Sequence, residues 1–431
     1  MTDPSFQSEF LQTLQARGYI HQITHPAELD AVAKAGVVSG YIGFDATAPS
    51  LHVGSLIQIM MLRRLQQTGH KPVVLMGGAT TKVGDPTGKD TSRPQLTDET
   101  IASNLASIRT VFEKFLTFGD GPTDAVMVNN DDWLSGYGYI QFLRDFGTQF
   151  TINRMLAFDS VKLRLEREQP MTFLEFNYML MQSVDFLELN RARNVTLQMG
   201  GSDQWGNIVS GVDLVRRVDQ KAAFGLTTPL LTTASGGKMG KTAQGAVWLN
   251  ADQLSPFDYW QFWRNAEDAD VGRFMRLFTD LPLDEIARFE ALQGAEINEA
   301  KKALADAATT MLHGVEAAQD ARNRAERVQA GEQIVDGAPI DLLWAGTEDE
   351  IARNDGKPFS ERRAEALLKA SGLVPSIKQA ALKITGGGVR INGVPVNNPK
   401  QAFAREQVDP NAGAFVVQIG KSGPIKLVRP I

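Results

Sequence analysis

Short apolar runs alternate with segments of helical spacing through the first half of the chain. Residues 39–44 and 72–76 have the composition of buried strands, and the apolar side chains of residues 55–67 recur at near-helical intervals. Residues 125–128 and 195–199 repeat a strand that runs into a polar or glycine-rich turn. The pattern predicts an α/β domain with a mostly parallel sheet, in which ligands bind beyond the carboxyl ends of the strands.

Helical spacing dominates the middle of the chain and returns near its end. Residues 172–190 and 207–218 predict long helices, residues 256–327 predict a mostly α-helical region, residues 359–371 predict another helix, and residues 389–396 resemble a hairpin around an Asn-Gly turn. We therefore predict an α/β domain over residues 1–233, a loop and α-helical domain over 234–335, a linker over 336–356, and a small α+β domain over 357–431.

Composition places the chain among ordinary globular proteins, with 43% apolar and 22% charged residues. Cysteine is absent, which excludes disulfides, thiolate zinc sites and a cysteine nucleophile. The first ten residues lack the basic start and apolar run of a signal peptide, and no stretch of about 18 apolar residues could span a membrane. We expect a cytoplasmic protein with no membrane partner.

Charge is unevenly distributed along the chain. Residues 351–431 contain 13 Lys and Arg against 5 Asp and Glu, which leaves 31 against 45 in the residues before them. A basic end on an acidic body suits a polyanionic partner that binds at one end only. The alternative interpretation is a solvated basic surface.

The segment YIGFDATAPSLHVGSL, which begins at Tyr41, combines a predicted strand, a turn and a helix start. Such a helix start offers N–H groups and a favourable dipole to a phosphate. His52 and Thr47 can donate hydrogen bonds to the same anion, and Gly54 leaves room for a base or a ribose. An H-x-G turn alone is weak evidence, since a lone histidine is more often structural.

A second segment, ASGGKMGKTAQG, contains Lys238 and Lys241 in a glycine-rich setting without a nearby carboxylate. Two ammonium groups without partners fit a polyphosphate, and an exposed turn with solvated lysines is the alternative. A Walker phosphate loop is excluded because Ser235 occupies the position of its first glycine.

Together the two segments resemble the paired nucleotide signatures of the class I aminoacyl-tRNA synthetases. The first signature, usually HIGH, is His52-Val53-Gly54-Ser55, in which Ser55 departs from the expected second histidine. The second, usually KMSKS, is Lys238-Met239-Gly240-Lys241-Thr242, a form typical of the tyrosine branch. The resemblance implies a Rossmann-like catalytic domain that activates tyrosine with ATP and then loads it onto transfer RNA.

The segment FNYMLMQSVDF is similar to the tyrosine-recognition helix of that family. Its Tyr178, Gln182 and Asp185 fall on one helix face. The resemblance implies these tyrosine contacts: Tyr41 and Asp185 at the phenol hydroxyl, Asp85, Tyr178 and Gln182 at the ammonium group, and Gln204 near the carboxylate.

The turn QMGGSDQWGN resembles the family's ribose-binding turn, and GDPTGKDTSR resembles its flexible loop near pyrophosphate. Solvated surface charge is the alternative interpretation for the loop's Lys89 and Arg93. The implied ATP-binding residues are Gly43, Asp45, His52, Gly54, Ser55, Gly201, Asp203, Lys238, Lys241 and Thr242. The implied catalytic residues are Thr47, His52, Lys89, Arg93, Lys238 and Lys241.

The expected partners follow from the same resemblance. Residues 364–399 look like a small RNA-binding fold found at the end of bacterial tyrosine enzymes, which implies tRNA(Tyr) as a substrate and agrees with the charge distribution. A homodimer is implied, with its interface in the catalytic region. Mg²⁺ should accompany ATP, held mainly by phosphate oxygens and water, without a tightly bound protein metal site.

Three alternatives remain open from the sequence. The tryptophan enzyme shares both signatures, but its pocket should recognise an indole N–H. A catalytically silent, synthetase-like RNA-binding protein is compatible with Ser55. A nucleotidyltransferase outside translation would explain the H-x-G turn, but not the tyrosine helix together with the basic end.

Overall fold

The computed structural model describes residues 5–87, 96–237, 239–242, 245–329, 340–347, 350, 358–420 and 425–431. The chain divides into two compact units, Met1–Gln319 and Asp320–Ile431. The side chains of Lys241 and Thr242 lie outside the described part, as do all atoms of Lys89, Arg93 and Lys238.

The first unit is built on a sheet of six described strands. These are β1 (Gln22–Ile23), β2 (Ser39–Phe44), β3 (Lys71–Met76), β4 (Val126–Asn129), β5 (Leu197–Gly201) and β6 (Phe224–Thr228). Their order is β1-β6-β5-β2-β3-β4, and every pairing is parallel except that of β1 with β6. The predicted α/β fold with a mostly parallel sheet is confirmed.

Helices cover this sheet and continue beyond it. They are α1 (Glu9–Arg17), α2 (Pro26–Ala35), α3 (Val53–Gln67), α4 (Gly78–Thr81), α5 (Asp98–Phe115), α6 (Asp131–Leu134), α7 (Tyr139–Asp145), α8 (Ile152–Leu156), α9 (Asp159–Glu166), α10 (Phe173–Phe176), α11 (Tyr178–Arg193) and α12 (Trp205–Val218). A short hairpin of β7 (Lys241–Thr242) and β8 (Gly245–Ala246) precedes α13 (Pro256–Arg264), α14 (Val271–Phe278), α15 (Leu283–Glu290), α16 (Ile297–His313) and α17 (Val315–Gln329). The α-helical region predicted for residues 256–327 is therefore present.

The hydrophobic core of the first unit reaches the carboxyl ends of its strands. Tyr41 of β2, Val73 of β3 and Phe186 of α11 are fully buried in one cluster. The rings of Tyr41 and Phe186 lie 5.3 Å apart between centroids. Because one side of the tyrosine ring belongs to this core, packing fixes its position.

One predicted helix is interrupted. Residues 172–190 contain a single turn, α10, and the long helix α11, separated at Asn177. A capping box starts α10, since the Thr172 side chain accepts from the Glu175 amide and the Glu175 carboxylate accepts from the Thr172 amide. Helical periodicity continues across the break, so the sequence pattern did not reveal it.

The second unit is a small α+β fold. Its described strands are β9 (Ile340–Leu342), β10 (Glu361–Arg363), β11 (Val389–Ile391), β12 (Val394–Val396), β13 (Ala402–Ala404), β14 (Phe415–Ile419) and β15 (Ile425–Pro430). They form a sheet of order β12-β11-β14-β15-β9 and a separate β10-β13 pair, accompanied by α18 (Ala364–Ala370) and α19 (Ile377–Thr385). The predicted hairpin is confirmed, with positive φ at both Asn392 and Gly393.

Two segments of this unit differ from their predictions. Residues 359–371 contain strand β10 before the helix begins at Ala364, and Arg362 in that strand is buried with its guanidinium donating to the Leu343 and Trp344 carbonyls. Strand β9 lies inside the segment predicted as a linker and pairs with β15. Neither strand has enough alternating residues for periodicity to detect.

Candidate active site

A cleft of about 400 Å³ opens at the carboxyl ends of β2, β3 and β5. This is the edge where parallel α/β sheets place their ligands. Each predicted residue whose side chain is described lines it, together with the predicted glycines: Tyr41, Gly43, Asp45, Thr47, His52, Gly54, Ser55, Asp85, Tyr178, Gln182, Asp185, Gly201, Asp203 and Gln204. The structure thus brings together segments that lie far apart in the sequence.

Asp185 forms the buried end of the cleft. Its carboxylate is 2% exposed and accepts from Trp133 Nε1 at 2.8 Å and from Asn130 Nδ2 at 3.0 Å. Burial raises the pKa of Asp185 to about 7, against the two hydrogen bonds, which lower it. The carboxylate keeps further acceptor capacity, since each of its oxygens can accept more than one hydrogen bond.

Tyr41 contributes a second polar atom to the same cleft. Its ring is fully buried, and its hydroxyl has no hydrogen-bond partner among the described residues. Burial, reinforced by the nearby Asp185 charge, raises the pKa of Tyr41 well above its ordinary value. A buried hydroxyl without a partner is costly, so the pair with Asp185 suits a ligand that brings its own hydroxyl group.

A chain of hydrogen bonds leads from Asp185 toward the centre of the cleft. Asn130, which donates to Asp185, also donates to the Thr80 hydroxyl at 3.0 Å. Thr80 in turn donates to Asp45 Oδ1 at 2.7 Å, and the Tyr178 hydroxyl donates to Asp45 Oδ2 at 3.0 Å. Asp45, which we predicted to contact ATP, is therefore hydrogen-bonded to Tyr178, which we predicted to bind tyrosine.

Amide side chains form the opposite wall. Gln204 donates to Asp85 Oδ2 at 2.7 Å, and Gln182 donates to Gln204 Oε1 at 3.3 Å. Asn207 donates to both Gln182 and Gln204, at 2.9 and 3.1 Å. These bonds hold the Asp85 carboxylate and the two glutamines in one network, which can receive a cationic group.

His52 caps the helix that carries the first signature. Its Nδ1 accepts from the Gly54 amide at 2.9 Å, which satisfies one orphan donor at the start of α3. We expected the amides at this helix start to face a phosphate, but the Gly54 amide already donates its hydrogen bond to His52 Nδ1. The capping bond fixes the orientation of the imidazole.

The backbone of the second signature lies directly against this helix start. A Cβ atom built on Gly240 would be 2.8 Å from the Gly54 amide nitrogen and 3.2 Å from His52 Nδ1. Gly240 also has a φ of 92°, a conformation that favours glycine. The two signatures are therefore in contact, through Gly240 of the second and Gly54 and His52 of the first.

The sequence did not indicate three cleft residues, Thr80, Asn130 and Gln198, or Trp133, which donates to Asp185. Asn130 and Trp133 bind Asp185, Thr80 binds Asp45, and Gln198 lines the cleft with a buried Oε1 that has no partner among the described residues. The polar run after β4 and a glutamine within the apolar strand β5 were the available signals. Without the strand order, neither signal indicated that these residues share one cleft.

The described residues contain neither a cluster of metal ligands nor a helix that could span a membrane. No group of three or more His, Cys, Asp or Glu side chains in this part of the chain could hold a metal ion. In the same ranges, every helix is too short or too polar to cross a membrane.

Comparisons with known proteins agree on one family. A family model described as class I tRNA synthetases (W and Y) matches residues 34–329, and an S4 domain model matches residues 362–408. The chain is 65% identical to a tyrosine--tRNA ligase of Caulobacter sp. (strain K31) and 67% identical to one of Caulobacter vibrioides, each over 99% of both chains.

A solved structure shows the same relationship. The chain resembles a C-terminally truncated mitochondrial tyrosyl-tRNA synthetase of Aspergillus nidulans, with 31% identity and a TM-score of 0.68. The match covers 75% of this chain and 94% of that one.

Proposed function

The chain belongs to the class I tRNA synthetases, in the tyrosyl-tRNA synthetase family, and from this we propose how its cleft activates tyrosine with ATP and transfers it to tRNA. Membership of this family supports the overall reaction, the ligation of tyrosine to tRNA. The observation that best supports our assignment of the residues is the buried Asp185 and Tyr41 pair, in the same cleft as the first signature.

Tyrosine enters with its phenol hydroxyl toward Asp185 and Tyr41. The ligand hydroxyl donates to the Asp185 carboxylate and accepts from the Tyr41 hydroxyl, which has no partner among the residues that the structure describes. At the other end, Tyr178, Gln182 and Asp85 hold the ammonium group. Gln204, already bonded to Asp85, lies near the substrate carboxylate.

ATP binds between the first signature and the turn after β5. Gly201 and Asp203 receive the ribose, and a carboxylate can accept both of its hydroxyls. Gly43, Gly54 and Ser55 line the nucleotide side of the cleft. The remaining assigned ATP contacts are Asp45, His52, Lys238, Lys241 and Thr242. Of these, Asp45 also orients Tyr178, so it acts between the two substrates.

In the first step the tyrosine carboxylate attacks the α-phosphorus of ATP, forming tyrosyl-adenylate and releasing pyrophosphate. The attacking carboxylate is already ionised at neutral pH, so the step needs no general base. Catalysis comes from positioning and from stabilising the charge that develops on the phosphates. We assign this to Thr47, His52, Lys238 and Lys241, supported by Lys89 and Arg93.

Mg²⁺ enters with ATP as part of the substrate. Because Mg²⁺ dehydrates reluctantly and prefers oxygen ligands, phosphate oxygens and water supply most of its coordination. The protein residues orient the phosphates around it.

In the second step a terminal ribose hydroxyl of tRNA(Tyr) attacks the adenylate. The S4 domain at residues 362–408 lies in the basic part of the chain, which supports its use in binding the RNA backbone. We propose the domain boundaries at residues 233, 335 and 356 as the sequence predicts them, with strand β9 of the predicted linker joined to the last domain through β15. The reaction belongs in the cytoplasm, as the sequence predicts.

We further propose a homodimer that uses an exposed apolar face of the first unit. Tyr139, Ile140, Ile152 and Phe173 are each at least 59% exposed. They lie on α7, α8 and α10, whose Phe142, Met155 and Phe176 pack in one cluster, and exposed apolar residues on such neighbouring helices favour burial against a second copy. Analytical ultracentrifugation should give twice the chain mass for the wild type and the single mass for Ile140→Glu; equal masses for both would reject this interface.

Amino-acid-dependent exchange of pyrophosphate into ATP tests the proposed function. We expect exchange with tyrosine and little with phenylalanine or tryptophan. Exchange with tryptophan alone would overturn the substrate assignment, and none with any amino acid would favour a catalytically silent protein.

A further inference from the structure

The segment that leads into Lys238 forms a closed turn. The Thr233 amide donates to the Gly237 carbonyl at 2.8 Å, and the Gly236 amide donates back to the Thr233 carbonyl at 2.8 Å. Across the base of this turn, the Met239 amide donates to the Leu231 carbonyl at 3.2 Å. These hydrogen bonds fix the shape of the turn but not its position relative to the cleft. Its position therefore depends on contacts with residues outside the turn.

Three described charged side chains hold this turn, and one of them, Glu267, accepts only from the Ser235 hydroxyl, at 2.6 Å. The other two bind its backbone. Asp270 is 2% exposed, and its Oδ2 accepts from the Ala234 amide at 2.8 Å. Its Oδ1 accepts from Arg273 at 2.6 Å, and the same Arg273 nitrogen donates to the Thr232 carbonyl. Asp270 and Arg273 therefore form hydrogen bonds with backbone groups on both sides of Thr233.

The Asp270 carboxylate accepts a hydrogen bond from the turn and does not cap α14. Asp270 precedes α14, where an aspartate often caps the helix, but its side chain makes no capping bond there. Burying a carboxylate is costly unless it is paired and hydrogen-bonded. Here that compensation comes from Arg273 and from the Ala234 amide, which belongs to the segment ASGGKMGKTAQG that we call the lysine loop.

The far end of α14 is fixed to the helix of the first signature. Arg64 of α3 is 2% exposed and donates to the Thr279 carbonyl just beyond α14, and it also pairs with Asp280. Helix α3 begins beside His52, against which Gly240 is packed. Helix α14 thus connects α3, which begins at the first signature, to the turn that leads into Lys238.

We propose that Asp270 and Arg273 are positioning residues for adenylate formation, which set the height of the lysine loop over the start of α3. The inference rests on the proposed function, in which Lys238 and Lys241 act on the phosphates of ATP. Asp270 and Arg273 do not line the cleft. They act through the loop, so their loss should slow the chemical step and leave tyrosine binding intact.

Single-turnover formation of tyrosyl-adenylate tests this assignment. At saturating tyrosine and ATP, we expect Asp270→Ala to slow the reaction roughly 10- to 100-fold, since small misplacements of catalytic groups are costly. Arg273→Gln should slow it in the same direction but less, because Arg273 is 42% exposed. The Kd of tyrosine in the absence of ATP should stay within about twofold of the wild type in both.

Asp268→Ala provides a matched control. Asp268 lies two residues before Asp270, but its carboxylate pairs with Lys301 and not with the loop. This variant should form adenylate at the wild-type rate. A loss equal to that of Asp270→Ala would show a general disturbance of this turn and would overturn the proposal.

A mutant cycle with the double substitution Lys238→Ala/Lys241→Ala separates positioning from loss of stability. If Asp270 acts through the two lysines of the loop, adding Asp270→Ala to that protein should slow the reaction by no more than about twofold further. Losses that multiply, or a wild-type rate for Asp270→Ala, would overturn the proposal. Should Asp270→Ala fail to fold, a wild-type rate for Arg273→Gln would overturn it equally. Failure of the proposed function is distinct, because the wild type would then form no tyrosyl-adenylate.

Discussion

Asp185 and Tyr41 show how single residues give the cleft its chemistry. The Asp185 carboxylate is oriented by two donors, Asn130 and Trp133, while the Tyr41 hydroxyl has no partner among the described residues. An unsatisfied buried group reduces stability, and a ligand hydroxyl removes that cost. A phenol removes this free-energy penalty and a ligand without a hydroxyl does not, so the penalty becomes selectivity for a phenol.

The raised pKa of Asp185 makes tyrosine binding dependent on pH. Burial raises this pKa to about 7, so the carboxylate is ionised above that pH and becomes protonated below it. The ionised carboxylate accepts a stronger hydrogen bond from the phenol hydroxyl than the protonated form does. We expect the Kd of tyrosine to rise as the pH falls, by up to about tenfold for each pH unit below the pKa.

Equilibrium dialysis with tyrosine across about pH 5.5 to 8.5 measures this dependence, on both sides of the Asp185 pKa. Asp185→Asn serves as the control, since it has no proton to gain and should give a flat profile in this range. A flat wild-type profile would contradict the assignment of Asp185 as the acceptor.

At the scale of elements, the site depends on the contact between the start of α3 and the loop that contains Gly240. The loop backbone approaches so closely that a Cβ at Gly240 would meet the Gly54 amide at 2.8 Å. Gly240→Ala should therefore push the loop away and slow adenylate formation by roughly tenfold or more, without changing the Kd of tyrosine.

Gly236→Ala is the matched control for this substitution. Gly236 has a φ of 86°, close to the 92° of Gly240, but a Cβ there meets nothing within 4 Å. It carries the same backbone strain without the clash. Stopped-flow measurement of adenylate formation distinguishes the two variants, and equal losses would show that strain, not contact, is responsible.

The sequence predicted the elements of the site better than their partners. Strand β2 has the predicted bounds and α3 begins two residues earlier than predicted, because apolar spacing identifies these elements and His52 caps the helix. The break at Asn177 was not predicted, since both sides of it have helical spacing. Asn130 and Trp133 were missed because they reach Asp185 only through tertiary packing.

At the scale of the whole molecule, the cleft and the S4 domain match fall in different parts of the chain. The cleft is built entirely within Met1–Gln319, and the S4 domain match lies within Asp320–Ile431. The uneven charge was visible in the sequence, and the α/β and α+β characters of the two units were predicted correctly. Strand β9 was not, because three residues carry too little pattern.

The basic unit should affect the transfer step only. Lys378 and Lys383 are exposed on α19. Replacing both with glutamate should raise the KM for tRNA several-fold, and the salt dependence of charging should become shallower, because phosphate contacts are lost. Tyrosine-dependent pyrophosphate exchange should not change.

Lys34→Glu tests whether any loss of positive charge has the same effect. Lys34 is exposed on α2 of the first unit. Its replacement should leave both pyrophosphate exchange and tRNA charging near wild-type rates. An unchanged KM for tRNA in the doubly substituted protein would contradict the use of this surface.

The most direct test of the account is the ratio of kcat/KM for tyrosine to kcat/KM for phenylalanine in Tyr41→Phe, with Tyr259→Phe as a control. Tyr259 is equally buried but lies outside the cleft. We predict that Tyr41→Phe lowers the ratio by about tenfold or more, because the ligand hydroxyl loses a buried partner, and that Tyr259→Phe leaves it unchanged. A wild-type ratio in Tyr41→Phe would contradict the claim that this end of the cleft selects tyrosine.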